Sequence, residues 1–348
     1  MLLSARRAIV AACAAVTSCV LLIAFWKASS ALAPSGSLSK STFQGLDAHW
    51  TSERLEKRFA YVQYATDLDY LCNAMINFSR LRRFGVEYDM VLIYPTDWDE
   101  DTSSREARWI KNIRSLHPHV KLRPFHLLTT SQGDPTWQKS LTKFHAFALT
   151  DYSRVLAFDS DSSVLNNMDH YFLAPLAPVA VPRAYWLDGN DTSVKDQILG
   201  SHVMLIEPNE GNYRRILDEA LSSGDFDMEV LNHLFSDSAM ILPHRRLALL
   251  TGEFRAADHQ RYMSEDKDET WNAHAELSRA YLVHFSDWPL PKPWKHRSEE
   301  QWQSLMPPCP EDDVETTDKP RCADRLSWTS LYEDYDYRRT HVCAALAA

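Results

Sequence analysis

The chain has 348 residues, 45% apolar and 24% charged, an ordinary globular balance with ample length for a large core. Its formal net charge of -10 argues against nucleic acid as a partner, because phosphate binding needs a basic face. Aromatic residues are plentiful and glycine is scarce.

The first strong signal is N-terminal. Arg6 and Arg7 precede residues 9–26, an uncharged apolar run closed by Lys27. Such a run is near the lower limit for spanning a bilayer as a helix. A cleaved signal peptide is the rival reading, since residues 31–33 (ALA) resemble a cleavage site. The run is longer than a usual signal core, and Trp26 and Lys27 suit an interfacial anchor, so an uncleaved anchor is preferred. Basic residues ahead of the run place residues 1–8 in the cytosol and the bulk of the chain in the lumen. Residues 27–53 then form a stem, rich in Ser, Ala, Pro and Gly at 29–41. A catalytic region is expected over 54–300, followed by a C-terminal extension at 301–348.

Within that region, 59–64 (FAYVQY) reads as a strand, with Thr66 or Asp67 able to cap the helix that follows. Leu71, Ala74, Met75, Phe78 and Leu81 recur at helical spacing, and Gly85 stands where a C-cap belongs. Residues 88–94 (YDMVLIY) are almost continuously apolar, as a buried parallel strand should be. A helix over 103–116, an extended segment at 120–128, an amphipathic helix over 137–150 and a strand at 154–158 follow. This alternation predicts a doubly wound α/β sheet. Later segments are mixed, with strands at 202–206 and 281–285 and helices at 213–221 and 228–235.

Outside the anchor lie Cys72, Cys309, Cys322 and Cys343. Cys72 falls mid-helix and reads as a buried thiol. A disulfide between Cys309 and Cys322 is the first choice for the tail in an oxidising lumen, and the spacing matches no standard zinc site. Asn77-Phe-Ser and Asn190-Asp-Thr are sequons, the first inside a predicted helix.

Asp159-Ser-Asp161 follows the 154–158 strand immediately, at a carboxyl end where open α/β sheets bind ligands. Two carboxylates so close repel unless a cation neutralises them, and oxygen ligands suit Mg²⁺ or Mn²⁺ bridging to a diphosphate. A bare Asp-x-Asp is also common in loops and caps.

The segment 141–172 (LTKFHAFALTDYSRVLAFDSDSSVLNNMDHYF) resembles the central block of glycosyltransferase family 8, the glycogenin-like enzymes. Lys143, Asp159, Asp161 and Asp169 match that block. A second segment, 281–294 (YLVHFSDWPLPKPW), resembles the family's C-terminal His-Phe-x-Gly…Lys-Pro-Trp motif, with Asp287 in place of Gly and two extra residues before the Lys. The resemblance implies a GT-A fold, a UDP-sugar donor, Mn²⁺ or Mg²⁺ as cofactor and retention of anomeric configuration. It implies Asp159, Asp161 and His284 as metal ligands and Lys143 and Lys292 on the diphosphate. Thr66 and Tyr70 stand where the family holds uridine, and Asp227 where a carboxylate lies near the anomeric carbon. Met228 replaces the family's Gln, and residues 200–202 (GSH) stand where relatives carry Asn-Ser-Gly. Read without the resemblance, His284 is a core histidine on a strand, Lys292 a solvated lysine, Tyr70 a core residue and Asp227 a helix N-cap.

The wording of 284–294, with Pro243-His-Arg and 249–255 (LLTGEFR), resembles most the fungal branch of N-acetylglucosaminyltransferases acting on N-linked glycans of secreted proteins. That implies a glycan acceptor and a single-pass Golgi membrane protein with a luminal catalytic domain. Two rivals stand beside it: a non-catalytic glycan-binding or scaffold member of the same fold, and a metal phosphohydrolase, which would want more carboxylates and histidines around the metal. Beyond Lys295 the tail offers cysteines and aromatics but no motif.

Overall fold

A computed structural model describes residues 58–101, 103–130, 138–187, 196–263, 269–309 and 322–347. The expected anchor and stem and the Asn190 sequon lie outside them. No helix among the described residues is long and apolar enough to cross a membrane.

The apolar runs become buried strands, β1 (Phe59–Tyr64), β2 (Asp89–Pro95), β3 (Val120–Phe125) and β4 (Arg154–Phe158). They lie parallel in the spatial order β3-β2-β1-β4. Their side chains alternate between two cores, Tyr61, Leu92 and Leu156 on one face and Ala60, Val62, Val91 and Val155 on the other. Helix α1 (Leu68–Arg83) begins at Asp67, whose carboxylate accepts from the Tyr70 N–H at 2.9 Å, so Asp67 rather than Thr66 is the cap. It ends before Gly85 at φ +68°, the left-handed position that glycine takes without strain. Helix α2 (Arg105–Leu116) is capped by Ser104.

The doubly wound expectation holds only for this parallel half. The chain turns at Asp159 to Asp161 directly into β5 (Ser162–Val164), with no crossover helix. The sheet continues through β6 (Val179–Pro182), β7 (Val203–Ile206) and β8 (Met240–Leu242), and β7 runs antiparallel to β4. The whole is a seven-stranded mixed sheet, ordered β3-β2-β1-β4-β7-β6-β8. A three-stranded sheet joins β5 to β9 (Leu249–Leu250) and β10 (Leu282–His284). Helices α3 (Glu210–Ser223) and α4 (Asp227–Phe235) contribute apolar side chains to the second core.

The predicted helix over 137–150 is instead a 3₁₀ segment, Ser140–Ala148. Residues Leu141 to Phe147 are buried on every side, so there is no solvent face to make it amphipathic. Its polar side chains bond outward, Thr142 Oγ1 to the Leu128 carbonyl at 3.2 Å and His145 to the His126 carbonyl and the Tyr213 hydroxyl, both at 2.7 Å.

Asn77 is 0% exposed, which removes it as a glycan acceptor. Its amide donates to Gln63 Oε1 at 3.0 Å and the Ser162 carbonyl at 2.9 Å, and its carbonyl accepts from the Val164 N–H at 3.1 Å. Gln63 in turn donates to the Phe158 carbonyl at 2.7 Å. Asn77 therefore pins the backbone on the far side of the Asp-x-Asp turn, and Gln63 on the near side.

Cys309 pairs with Cys322, as expected. Cys72 is no free thiol; it is disulfide-bonded to Cys343, 271 residues away. That bond fastens α1 to the last helix, α7 (Ala323–Ala347), after the intervening α5 (Ala273–Arg279) and α6 (Glu299–Leu305). Helix α7 buries Trp328, Leu331, Tyr332 and Tyr335, one stripe at helical spacing, in the core that contains α1.

Candidate active site

The carboxyl ends of β1 and β4, the start of β7, the start of α4 and the end of β10 bring the site together. Asp159 and Asp161 flank the β4–β5 turn, and β10 pairs antiparallel with β5, which sets His284 opposite Ser162. The Asp159 N–H donates to the His202 carbonyl at 3.0 Å, and the Phe285 N–H to the Asp161 carbonyl at 3.0 Å. Both carboxylates are thus carried on bonded backbone.

Three basic partners sort their oxygens. Lys143 Nζ lies 2.5 Å from Asp159 Oδ1, and Lys292 Nζ lies 2.7 Å from Asp161 Oδ2. The other two oxygens face His284 Nε2, with Asp161 Oδ1 at 3.2 Å and Asp159 Oδ2 at 3.9 Å. One ligand atom from each of the three residues lies within 4.8 Å of the others. Two carboxylates and an imidazole with their free atoms converging fit a divalent cation such as Mn²⁺ or Mg²⁺. Burial pushes the Asp161 carboxyl up, but His284 and Lys292 outweigh it and hold it well below the usual carboxylate range. Burial raises Asp159 to about 6, with Lys143 opposing and Asp161 and Asp227 reinforcing the rise.

Lys143, 3% exposed, also bonds Asp227 Oδ2 at 2.8 Å. Burial alone would lower its pKa; Asp159 and Asp227 override that and raise it. Asp227 is the first residue of α4 and not its N-cap, which is Phe226. Its carboxylate turns inward and accepts from the Ser201 hydroxyl at 2.5 Å. The Asp227 carboxyl is pushed up by burial but held low by Lys143.

Thr66, buried, closes the end of β1, and Lys139 Nζ reaches its carbonyl at 3.4 Å. Tyr70 packs edge-on to Trp294 at 5.3 Å between ring centroids and lies 6.3 Å from Tyr64. Burial and then Asp161 and Asp159 hold its phenol proton on, so the ring neighbours the carboxylates. Asp169 stands apart from the site. It accepts from the Tyr61 hydroxyl at 2.7 Å and the Glu87 N–H at 3.1 Å, a structural role.

Lys292 reaches the site despite the two extra residues before it, and its Nζ also donates to the Phe285 carbonyl at 2.5 Å. Asp287, the other departure in that motif, is buried and accepts from Trp328 Nε1 at 3.0 Å, the Tyr332 hydroxyl at 2.8 Å and Arg255 at 3.3 Å. It ties the loop carrying Lys292 to α7. No motif pointed to Asn77 as a clamp or to Tyr64, whose hydroxyl donates to Asp159 Oδ1 at 3.3 Å, and Ser201 was marked only as the middle residue of the 200–202 segment. Alternation along β1 marks Tyr64 only as a strand residue.

No family model matches the chain. It is 39% identical over 305 residues to "Glucose N-acetyltransferase 1" of Aspergillus fumigatus, covering 82% of this chain and 77% of that protein. The chain belongs to the glucose N-acetyltransferase 1 family. The family member from Gibberella zeae is 42% identical over 295 residues, covering 83% of this chain, which spans 63% of that relative's length. Among solved structures, the galactosyltransferase LgtC with donor and acceptor sugar analogs superposes with a TM-score of 0.50 at 12% identity, covering 71% of this chain and 93% of that one. At that identity the likeness concerns the fold alone, a GT-A type glycosyltransferase fold. The fungal family expected from the motifs is the family found.

Proposed function

We propose that this protein is a retaining glycosyltransferase that moves N-acetylglucosamine from a UDP-sugar to a glycan, with a divalent metal, Mn²⁺ by preference, at Asp159, Asp161 and His284. The observation that carries the reading is the sorting of carboxylate oxygens described above. The lysines take the outer oxygens, and the inner ones converge with His284 Nε2. The glucose N-acetyltransferase names of the relatives support the sugar. Taken literally those names denote acetyl transfer; a carboxylate–imidazole cluster with two ammonium groups favours a reaction in which a metal-held diphosphate is the leaving group.

When bound, the metal would neutralise the diphosphate and act as a Lewis acid on the departing nucleotide. Lys292 adds charge where the leaving oxygen develops its own. Lys143 bridges Asp227 and Asp159 and opposes the protonation of both. Thr66 and Tyr70 line the uridine end. Retention by same-face attack of the acceptor is preferred, with Asp227 nominated as the carboxylate beside the anomeric carbon. Lys143 and Ser201 both bond its Oδ2, and charge pairing with the ammonium suits a charge stabiliser better than a nucleophile.

Titration calorimetry tests the metal-bridged diphosphate. UDP is expected to bind in Mn²⁺ and to lose at least about tenfold in affinity in EDTA; equal affinity in both contradicts it. Among the described residues the candidate ligand set here is Asp159, Asp161 and His284, fewer than a metal phosphohydrolase would want, and its completeness disfavours a non-catalytic scaffold.

We also propose a type II Golgi membrane protein with this domain in the lumen. The charge pattern around residues 9–26 and the two disulfides, which form and persist in oxidising compartments, support it. Protease added to intact microsomes should leave the domain whole; its digestion contradicts luminal placement.

A further inference from the structure

Ser201 and His202 enter β7 side by side, and only one of them has its polar group accounted for. The Ser201 hydroxyl bonds Asp227 at 2.5 Å, whereas His202 Nε2 is buried with no partner among the described residues. A buried polar atom in that state is costly, and native structures leave few of them without a ligand or water to satisfy them. The ring is seated firmly. A Cβ on Gly200 would lie 2.9 Å from His202 Cε1 and 3.0 Å from Nδ1, so the absent side chain at 200 is what gives that edge of the imidazole room. The ring centroid lies 5.8 Å from that of His284 and 5.5 Å from that of Trp186. The His202 backbone accepts from Asp159.

We propose that His202 selects the transferred sugar by hydrogen-bonding, through Nε2, the N-acetyl group at its C2, with Trp186 offering an apolar face to the acetyl methyl. The inference rests on the UDP-sugar reading above and adds the residue that sets the sugar. A diphosphate held at Asp159, Asp161 and His284 places the anomeric carbon one oxygen away and C2 one bond further. C2 and the ring oxygen are then the sugar atoms next to the anomeric carbon, and the substituent at C2 is the polar group that extends from there within reach of a ring neighbouring His284. An amide there carries both an acceptor and a donor, so either tautomer of the imidazole finds a complement. A bare hydroxyl is two heavy atoms shorter and leaves the buried nitrogen less well satisfied.

The test is calorimetry in Mn²⁺ with three ligands, UDP, UDP-N-acetylglucosamine and UDP-glucose, on wild type, His202→Phe and His202→Gln. Wild type should prefer the N-acetylglucosamine donor. His202→Phe keeps the ring volume but no polar atom, and should erase about tenfold of that preference, the loss expected of one buried hydrogen bond. Its UDP affinity should stay within about twofold of wild type, which shows that the site is intact. His202→Gln carries an amide near the Nε2 position and should keep most of the preference. An undiminished preference in His202→Phe overturns the inference. So does a wild type that binds UDP and does not distinguish the two sugars, and in both cases the glycosyltransferase reading stands. A wild type that binds no UDP overturns both.

Discussion

Lys143→Met should abolish transfer and lower stability by about 3–5 kcal/mol, the usual cost of removing one partner from a buried ion pair. Lys143 is 3% exposed and bonds two carboxylates, Asp159 and Asp227, which are themselves mostly buried. Methionine fills a similar volume, so the loss is electrostatic rather than a cavity. Without the ammonium, two carboxylates face each other in a poorly solvated site, and protonating one of them is the cheapest relief. Mn²⁺ should restore part of the melting temperature, because it neutralises Asp159, and should leave activity lost, because Asp227 still lacks its partner. Thermal melts with and without Mn²⁺, alongside UDP release, check this. A variant that melts like wild type and turns over would mean that the lysine is a bystander.

Lys292→Ala should lower kcat by roughly 10²–10³ and weaken donor binding much less. In a bound donor the diphosphate would already be anionic, with its charge shared by a metal held at Asp159, Asp161 and His284. As the glycosidic bond breaks, a further charge develops on the leaving oxygen, and a lysine aimed there gains more in the transition state than in the complex. Its Nζ, 2.7 Å from Asp161 Oδ2 and 2.5 Å from the Phe285 carbonyl, is held at the metal cluster by the loop that Asp287 fastens to α7. Steady-state kinetics and calorimetry together decide. If affinity falls and kcat does not, Lys292 only tethers the nucleotide; if neither changes, the leaving-group role passes to Lys143.

The parts of the fold that were legible in the sequence are those with a strong local signal. The strands at 59–64, 88–94 and 154–158 are apolar because both faces of the sheet are covered. The cluster of Asp159, Asp161 and His284 was legible for a different reason, a short motif at a strand end and a second motif far along the chain. The small sheet β5-β10-β9 was not legible, since strands of two or three residues carry no periodicity. Segment 140–148 misled because it is buried all round, and a run of apolar residues broken by Lys143 and His145 imitates a helical stripe. Cys72 misled because its partner lies 271 residues away, on a helix with no motif. Asp287 read as a departure from the family pattern. Its meaning lies in Trp328, Tyr332 and Arg255, which no local pattern connects to it. Asn77 was missed for the same reason, and Ser201 was marked only by its place in the 200–202 segment: their work is done across the fold.

The measurement that tests the central claim most directly is nucleotide release by the purified chain. It is incubated with UDP-N-acetylglucosamine, other UDP-sugars and acetyl-CoA, each with Mn²⁺ and with EDTA, and with N-glycans as acceptors. Free UDP should appear from UDP-N-acetylglucosamine in Mn²⁺, fall to background in EDTA and in Asp161→Asn, and no CoA should be released. Release of CoA with every UDP-sugar left intact would contradict a glycosyltransferase built on Asp159, Asp161 and His284.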